Sequence, residues 1–385
     1  MKQGWTYKKL GDLYPIVMGK TPPRGISRFW DTKKETHNLW VSIADLSKNE
    51  GKEIKDTKEY ISNEAIGNIT KIAKGSLLVS FKLTLGKMAF AGDDLYTNEA
   101  IMSLGKRDDI FLKFLYYYFS SLDWGKIAGG SEKVKGKTLN KKSLSEIPIA
   151  YISLSEQQRI VERLDSAFTH IDELKANAEK QVNEARALFQ KALSKAMEPK
   201  EGWEEKTLGK ICRVINGRAY SKNEMLNHGK YRLLRVGNFF TNDSWYYSDL
   251  ELEEDKYCEK GDLLYAWSAS FGPRIWDGEK VIYHYHIWKM ICSENIDKYF
   301  MCYWLDSDKL KNQTMTNLHG TTMAHITKGI IESSIVRFPS LSEQQRIVER
   351  LDSLSENVKA LEENQRKVMA ECDALKQALL RKVFE

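Results

Sequence analysis

The sequence predicts an α+β chain: two globular α/β units with long loops, each followed by one long helix. The two helices are expected to pair as an antiparallel coiled coil about a pseudo-two-fold axis. Three observations predict this: a tandem internal duplication, an apolar seam of coiled-coil spacing in two segments, and short β-rich runs between polar, glycine-containing loops.

The duplication comes first, because a fixed internal offset decides architecture before any single element does. LSEQQRIVERLDS occupies Leu154–Ser166 and recurs without change at Leu341–Ser353, 187 residues later. Upstream, GWTYKKLGDLYPIVMGK (Gly4–Lys20) aligns with GWEEKTLGKICRVINGR (Gly202–Arg218) through Trp5/Trp203, Lys8/Lys206, Leu10/Leu208, Gly11/Gly209 and Gly19/Gly217. Weaker echoes join KGSLLVSF (Lys74–Phe81) to KGDLLYAW (Lys260–Trp267), and LGKMAF (Leu85–Phe90) to FGPRIW (Phe271–Trp276). The period is far longer than the ~20–50 residues of a solenoid. The expected segments are a globular unit over 1–152, a helix over 153–199, a second unit over 200–340 and a second helix over 341–385.

In the helical segments, Ser155 and Ser342 are each followed three residues on by Gln158 or Gln345, a capping-box pattern. Glu156 and Glu343 suit the positive end of a helix dipole. The first seam is Ile160, Leu164, Ala167, Ile171, Leu174, Ala178, Val182, Ala185, Phe189, Ala192 and Ala196. The second is Ile347, Leu351, Leu354, Val358, Leu361, Gln365, Val368, Cys372, Leu375 and Leu379, with a polar residue, Gln365, in core register. Pro199 ends the first helix. A seam of this spacing wants a partner helix, and the other copy supplies one. Each helix is ~60 Å long, and faces outside the pair are free to dock other subunits.

In the globular segments, strands are expected at Leu39–Ile43, Ser76–Phe81, Ile101–Leu104, Arg232–Val236, Asp262–Trp267 and His286–Ile291, and helices at Ile110–Ser121 and Lys298–Lys309. Three loop pairs hold equivalent places in the two copies. Lys20–Lys34 stands opposite Arg218–Arg232, Lys82–Lys87 opposite Ser268–Arg274, and Gly129–Lys142 opposite His319–Lys328. All carry Lys or Arg suited to phosphates beside hydroxyl, amide, imidazole or aromatic groups suited to base edges. The candidate contacts are Lys20, Arg24, Arg28, Lys82, Lys87, Lys133, Lys135, Lys137 and Lys141 in the first copy. In the second they are Arg218, Tyr220, Lys222, Ser268, Ser270, Arg274, Thr321, Thr322, His325 and Lys328. The scaffold agrees between copies while these loops differ, as two readers of different short sequences would require.

Charge supports a polyanionic partner mainly for the first unit. Residues 1–152 carry 25 basic and 17 acidic side chains, a balance of +8, whereas residues 200–340 carry 19 of each. The five cysteines are odd in number and widely spaced, with no CxxC, which predicts a reducing cytoplasm and neither a disulfide framework nor a zinc site. No stretch approaches the ~18 apolar residues of a membrane span, and MKQGWTYKKL lacks the apolar run of a signal peptide.

Catalytic motifs are not found. The single Pro-Pro, Pro22–Pro23, is followed by Arg24 rather than by the aromatic residue of an amino-methyltransferase motif. Gly130 and Gly136 enclose five residues where a phosphate loop needs four. His284 and His286 alternate along what reads as one strand face, without a third metal ligand in register.

A Trp leading into Leu-Gly and a later Gly, a variable unit, then Pro148 or Pro339 shortly before LSEQQRIVERLD and a long helix, all done twice, resembles the specificity subunit of type I restriction–modification enzymes. HGTTMAHITK adds to the likeness, and its first-copy counterpart departs from it by inserted residues. The resemblance implies that each unit is a target-recognition domain with a loop-rich DNA face, reading one half of a bipartite site. It implies that the helices form a spacer binding two methylation subunits, and that restriction subunits join a larger complex. S-adenosylmethionine, ATP and Mg would then sit on partner subunits, with no cofactor, metal or catalytic residue in this cytoplasmic chain. The competing readings are a fused methyltransferase–nuclease, disfavoured by the missing Pro-Pro-aromatic motif and the short length, and a purely architectural coiled-coil scaffold.

Overall fold

The computed structural model describes residues 5–128, 132–133, 136–137, 139–268, 270–308, 310 and 326–385. The chain divides into two compact units whose limits cross the expected segments. One comprises Met1–Asn177 with Lys367–Glu385, the other Ala178–Arg366. Each therefore contains a globular body and part of both long helices, Leu154–Ala196 and Leu341–Phe384.

In the first unit a five-stranded sheet runs in the order Val17–Met18, Ile101–Leu104, Leu77–Ser80, Met88–Ala91, Glu53–Ile54. Leu77–Ser80 is buried throughout, as expected of a central strand covered on both faces. A three-stranded sheet places Leu39–Val41 between Glu59–Tyr60 and Tyr96–Thr97, parallel to the latter. Thr6–Lys9 pairs antiparallel with Pro148–Tyr151 and closes the unit beside the start of the long helix. Ile43, expected at a strand end, instead begins the helix Ile43–Lys48, because Ser42 and Asp45 form a capping box.

The second unit repeats this plan. Cys212–Asn216, Ile287–Cys292, Leu263–Ser268 and Ser270–Ile275 form one sheet in that order. Tyr246–Ser248, Tyr231–Leu234, Val281–Tyr283 and Tyr257–Cys258 form another, in which Leu233–Leu234 runs parallel to Ile282–Tyr283. Glu204–Thr207 pairs with Ile335–Phe338. The segment Ser268–Arg274, expected to be a loop, is mostly a β-hairpin: Leu263–Ser268 turns back into Ser270–Ile275, with Trp267 opposite Phe271.

The packing explains why LSEQQRIVERLDS is duplicated. In the first unit Gln157 is 1% exposed. Its amide nitrogen donates to the Asp109 and Ile152 carbonyls at 3.0 and 2.9 Å, and its oxygen accepts from the Phe111 amide at 2.8 Å. In the second unit Gln344, 0% exposed, repeats all three bonds with the Asn295 and Pro339 carbonyls and the Asp297 amide. Ile160, Val161 and Leu164 enter the first core, Val348 and Leu351 the second. Asp165 accepts from the Tyr117 hydroxyl and Asp352 from the Tyr303 hydroxyl. The repeat is a docking surface between each helix start and its globular body. The helix cap itself lies two residues earlier than the sequence pattern places it. Ser153, not Ser155, accepts from the Glu156 amide, at 3.3 Å.

Helix pairing is antiparallel in each unit. In the first, Lys175 meets Asp373 at 2.8 Å and Asp172 meets Lys376 at 2.5 Å. In the second, Arg186 meets Glu362 at 2.6 Å and Gln181 accepts from Gln365 at 2.8 Å, so the polar residue in core register has a polar partner. The first core also receives Leu380 and Phe384, and the second Leu193 and Met197. The seam departs from expectation at three positions. Leu174 is 56% exposed, and Val368 and Leu375 are exposed too. Lys175 and Lys376 occupy the contact beside Leu174 and Leu375, because straight helices drift relative to a strict 3.5-residue repeat.

Candidate nucleic-acid interface

The repeated Leu-Gly and Gly are framework positions that aim the loops. Leu10 and Leu208 are wholly buried, and their amides donate to the Ile147 and Ser334 carbonyls, both at 2.8 Å. A Cβ at Gly11 would lie 2.6 Å from that of Ser145. Gly19 and Gly217 mark a closer approach. A Cβ on Gly19 would lie 2.0 Å from the Thr97 carbonyl oxygen, and one on Gly217 would lie 2.4 Å from those of Tyr283 and His284. Their amides donate to Ile101 and Ile287. The next amides, of Lys20 and Arg218, donate to Thr97 and Tyr283. The first variable loop thus leaves the framework at the same place in both units.

The strand registers bring the other loops to that place. In the first unit Met18 lies opposite Met102, Ser80 opposite Ile101 and Val79 opposite Met88. The loop after Met18, the Lys82–Lys87 connection and the turn before Ile101 therefore share one end of the sheet. The Leu139 amide donates to the Phe81 carbonyl at 3.0 Å, which returns the third loop there as well. In the second unit Asn216 lies opposite Trp288, Ala266 opposite Ile287 and Ser268 opposite Ser270. The loop after Asn216, the hairpin tip and the turn before Ile287 again meet at one end.

The candidate residues fall into distinct groups at these ends. Lys20 is exposed and makes no ion pair among the described residues, while its carbonyl accepts from the Trp40 indole at 3.1 Å. Lys82, half-buried, lies 5.4 Å over the Phe81 ring, and Lys141 and Lys222 are exposed on the first residues of short helices. Ser270 is exposed, whereas Ser268 is buried. Other cations have carboxylate partners within the chain. Arg24 forms a two-pronged pair with Glu59 and stacks over Trp30 at 4.1 Å. Arg28 faces Glu64, Lys87 faces Glu50 and Lys328 faces Glu332. Arg218 holds Glu224 at 2.6 Å, which with the Ser221 amide keeps that carboxyl down at about 2. Arg274 donates to the Phe239 carbonyl and pairs with Asp277. Tyr220 is buried, its hydroxyl has no partner among the described residues, and burial pushes its ionisation up. Lys133 and Lys137 lie on the two strands of a short hairpin, Glu132–Lys133 and Gly136–Lys137. Lys135, Thr321, Thr322 and His325 lie outside the described residues.

His284 and His286 do not share a strand face. They sit in the turn joining Val281–Tyr283 to Ile287–Cys292, with ring centroids 4.8 Å apart. Burial, then His286 and Arg235, push His284 down to about 4, so its ring is neutral at pH 7. Among the described residues no group of three His, Cys, Asp or Glu could hold a metal ion. No helix among them is long and apolar enough to cross a membrane.

Each body has the same design, presents loops of differing sequence at one end of a sheet and is docked on a pair of helix segments. The chain belongs to the type I restriction modification DNA specificity domain family, which matches residues 2–184 and again 200–370. Relatives include the MjaIX specificity subunit of Methanocaldococcus jannaschii, 25% identical over 98% of this chain and 92% of that one. The MjaVIII specificity subunit of the same organism is 23% identical over 91% and 86%. A solved structure from work on assembly and conformational transition of the type I R-M system shares the fold, with a TM-score of 0.78 at 19% identity, covering 100% of this chain and 98% of that one. The HsdS subunit of Thermoanaerobacter tengcongensis gives 0.56 at 18% identity, with 100% and 97% covered. The chain is accordingly a DNA-sequence recognition subunit of the non-catalytic class.

Proposed function

We propose that each unit reads one half of a bipartite duplex target through the loops gathered at one end of its sheet, and that the bases between the halves go unread. The observation that carries this is the shared loop geometry: matched framework bonds at Gly19 and Gly217 launch loops of unmatched sequence. Lys20, Lys82, Lys133, Lys135, Lys137, Lys141 and Lys222 would hold phosphates, while Ser270, Tyr220, Thr321, Thr322 and His325 lie in segments suited to base edges. Arg24, Arg28, Lys87, Arg218, Arg274 and Lys328 reach DNA only by leaving their present carboxylate partners, so their first role is to shape the loops.

The long helices serve as spacer and as docking ground for two methylation subunits. Leu188, 68% exposed, and Leu375, 48% exposed, are repeat-equivalent positions, as two like partners would need. S-adenosylmethionine, ATP and Mg belong to those partners and to the restriction subunits, and the complex works in the cytoplasm. Sequencing modified bases in DNA from a host carrying the chain and its partners tests this. A two-part motif with an unspecified interior is expected, and a single continuous motif would refute the two-reader arrangement.

A further inference from the structure

A fourth variable segment lies at the same end of each sheet. It is the turn Asn98–Ala100 in the first unit and His284–His286 in the second. The two are structurally equivalent. Asn98 and His284 donate their amides to Val41 and Leu234 at 3.1 and 2.9 Å. Ile101 and Ile287 then donate back to the Asn98 and His284 carbonyls at 3.3 and 2.9 Å. Between these matched bonds the sequence is Asn-Glu-Ala in one copy and His-Tyr-His in the other.

The middle residue of the first turn, Glu99, is exposed. Its Oε2 accepts from the hydroxyl of Thr21, a residue of the first variable loop, and it makes no ion pair among the described residues. Burial raises its carboxyl, but the Thr21 hydroxyl, its own amide and the nearby Lys82 and Arg24 outweigh that and leave it below the ordinary glutamate value. Glu99 is thus an ionised carboxylate, steadied at one oxygen, amid loops that carry Lys20, Lys82 and Lys141. A carboxylate at a DNA face repels phosphates and gains there only by meeting a donor. In the major groove the donors are the amino groups of cytosine N4 and adenine N6. Adenine N7, an acceptor, lies beside N6 and repels the second carboxylate oxygen, whereas a C–H lies beside cytosine N4. We propose that Glu99 is a specificity-determining residue of the first unit and accepts a hydrogen bond from the N4 amino group of a cytosine in the first half of the target. The inference rests on the two-reader function above. The equivalent position in the second unit, Tyr285, carries no fixed charge, so one scaffold position serves two different bases.

The test uses the full chain with its methylation subunits, acting on a library randomised across both half-sites. Glu99→Ala should lose preference at one cytosine of the first half-site by roughly tenfold or more, the worth of one good base contact. The second half-site should be unchanged, and binding to duplex lacking the target should be unchanged or tighter, since a negative charge is removed. Glu99→Gln, which preserves shape, should move that position from cytosine towards adenine, because an amide offers a donor to N7 and an acceptor to N6. Unchanged preference at every position, a change confined to the second half-site, or a responding base other than cytosine overturns the proposal. Exchange of residues 20–142 in the same assay separates the two claims. If that exchange changes the first half-site while both Glu99 variants do not, Glu99 is wrong and the two-reader function stands. If the exchange changes nothing, both fall.

Discussion

Gln157 offers the sharpest test of how each long helix is fixed to its reader. Gln157→Leu removes a buried amide that satisfies three backbone groups: the Phe111 N–H and the Asp109 and Ile152 carbonyls. Leaving a buried donor or acceptor unpaired costs ~1–3 kcal/mol. Phe111, Asp109 and Ile152 are all half-buried, so each of the three groups takes about 1 kcal/mol, the low end of that range. The first unit should therefore lose about 3 kcal/mol. The loss is measured by urea unfolding followed through amide hydrogen exchange at Phe111 and along the first turns of the helix. Gln158→Ala, one residue on and exposed, should stay within ~0.5 kcal/mol of the parent. If Gln157→Leu were as mild as Gln158→Ala, the account of the duplicated segment as a docking surface would be refuted.

Changing Lys133, Lys135, Lys137 and Lys141 together to Ala should reduce the slope of log K against log salt by up to about 4, one counterion per lost phosphate contact, whereas an unchanged slope places that loop off the DNA. Gly217→Ala sets a Cβ 2.4 Å from two carbonyl oxygens and should destabilise the second unit by ~1–3 kcal/mol, degrading the second half-site in a methylated library while sparing the first. His284 falls from its ordinary 6.5 to about 4 on folding, so the unfolded chain binds its proton more readily across that window. His284 therefore costs the second unit no stability above pH 6.5 and an increasing amount as pH falls towards 4, and His284→Asn should flatten that part of the decline in pH-dependent unfolding.

The architecture was legible because identical segments face identical surroundings. Gln157 and Gln344, Leu10 and Leu208, and Gly19 and Gly217 each satisfy the same bonds or the same close approach in their own units. Strands held only by distant partners were not legible. Thr6–Lys9 and Glu204–Thr207 carry no apolar alternation and exist by pairing with Pro148–Tyr151 and Ile335–Phe338. The hairpin at Ser268–Arg274 was hidden by Gly272 and Pro273, which read as loop residues yet lie within a strand. His284 and His286 read as one strand face running into the expected strand His286–Ile291, but they lie in a turn between strands of two different sheets, and so the fourth variable turn was missed. The seam positions Leu174 and Leu375 were misplaced because spacing alone does not show where a lysine ion pair takes over the contact.

The central claim is that the two units are independent readers. Its most direct test replaces residues 20–142 with the matching region of a relative, in the full chain with its methylation subunits, and sequences the bases the complex modifies. The account predicts that one half of the motif changes, with the other half and the spacing retained. A motif in which both halves change, or neither does, would contradict it.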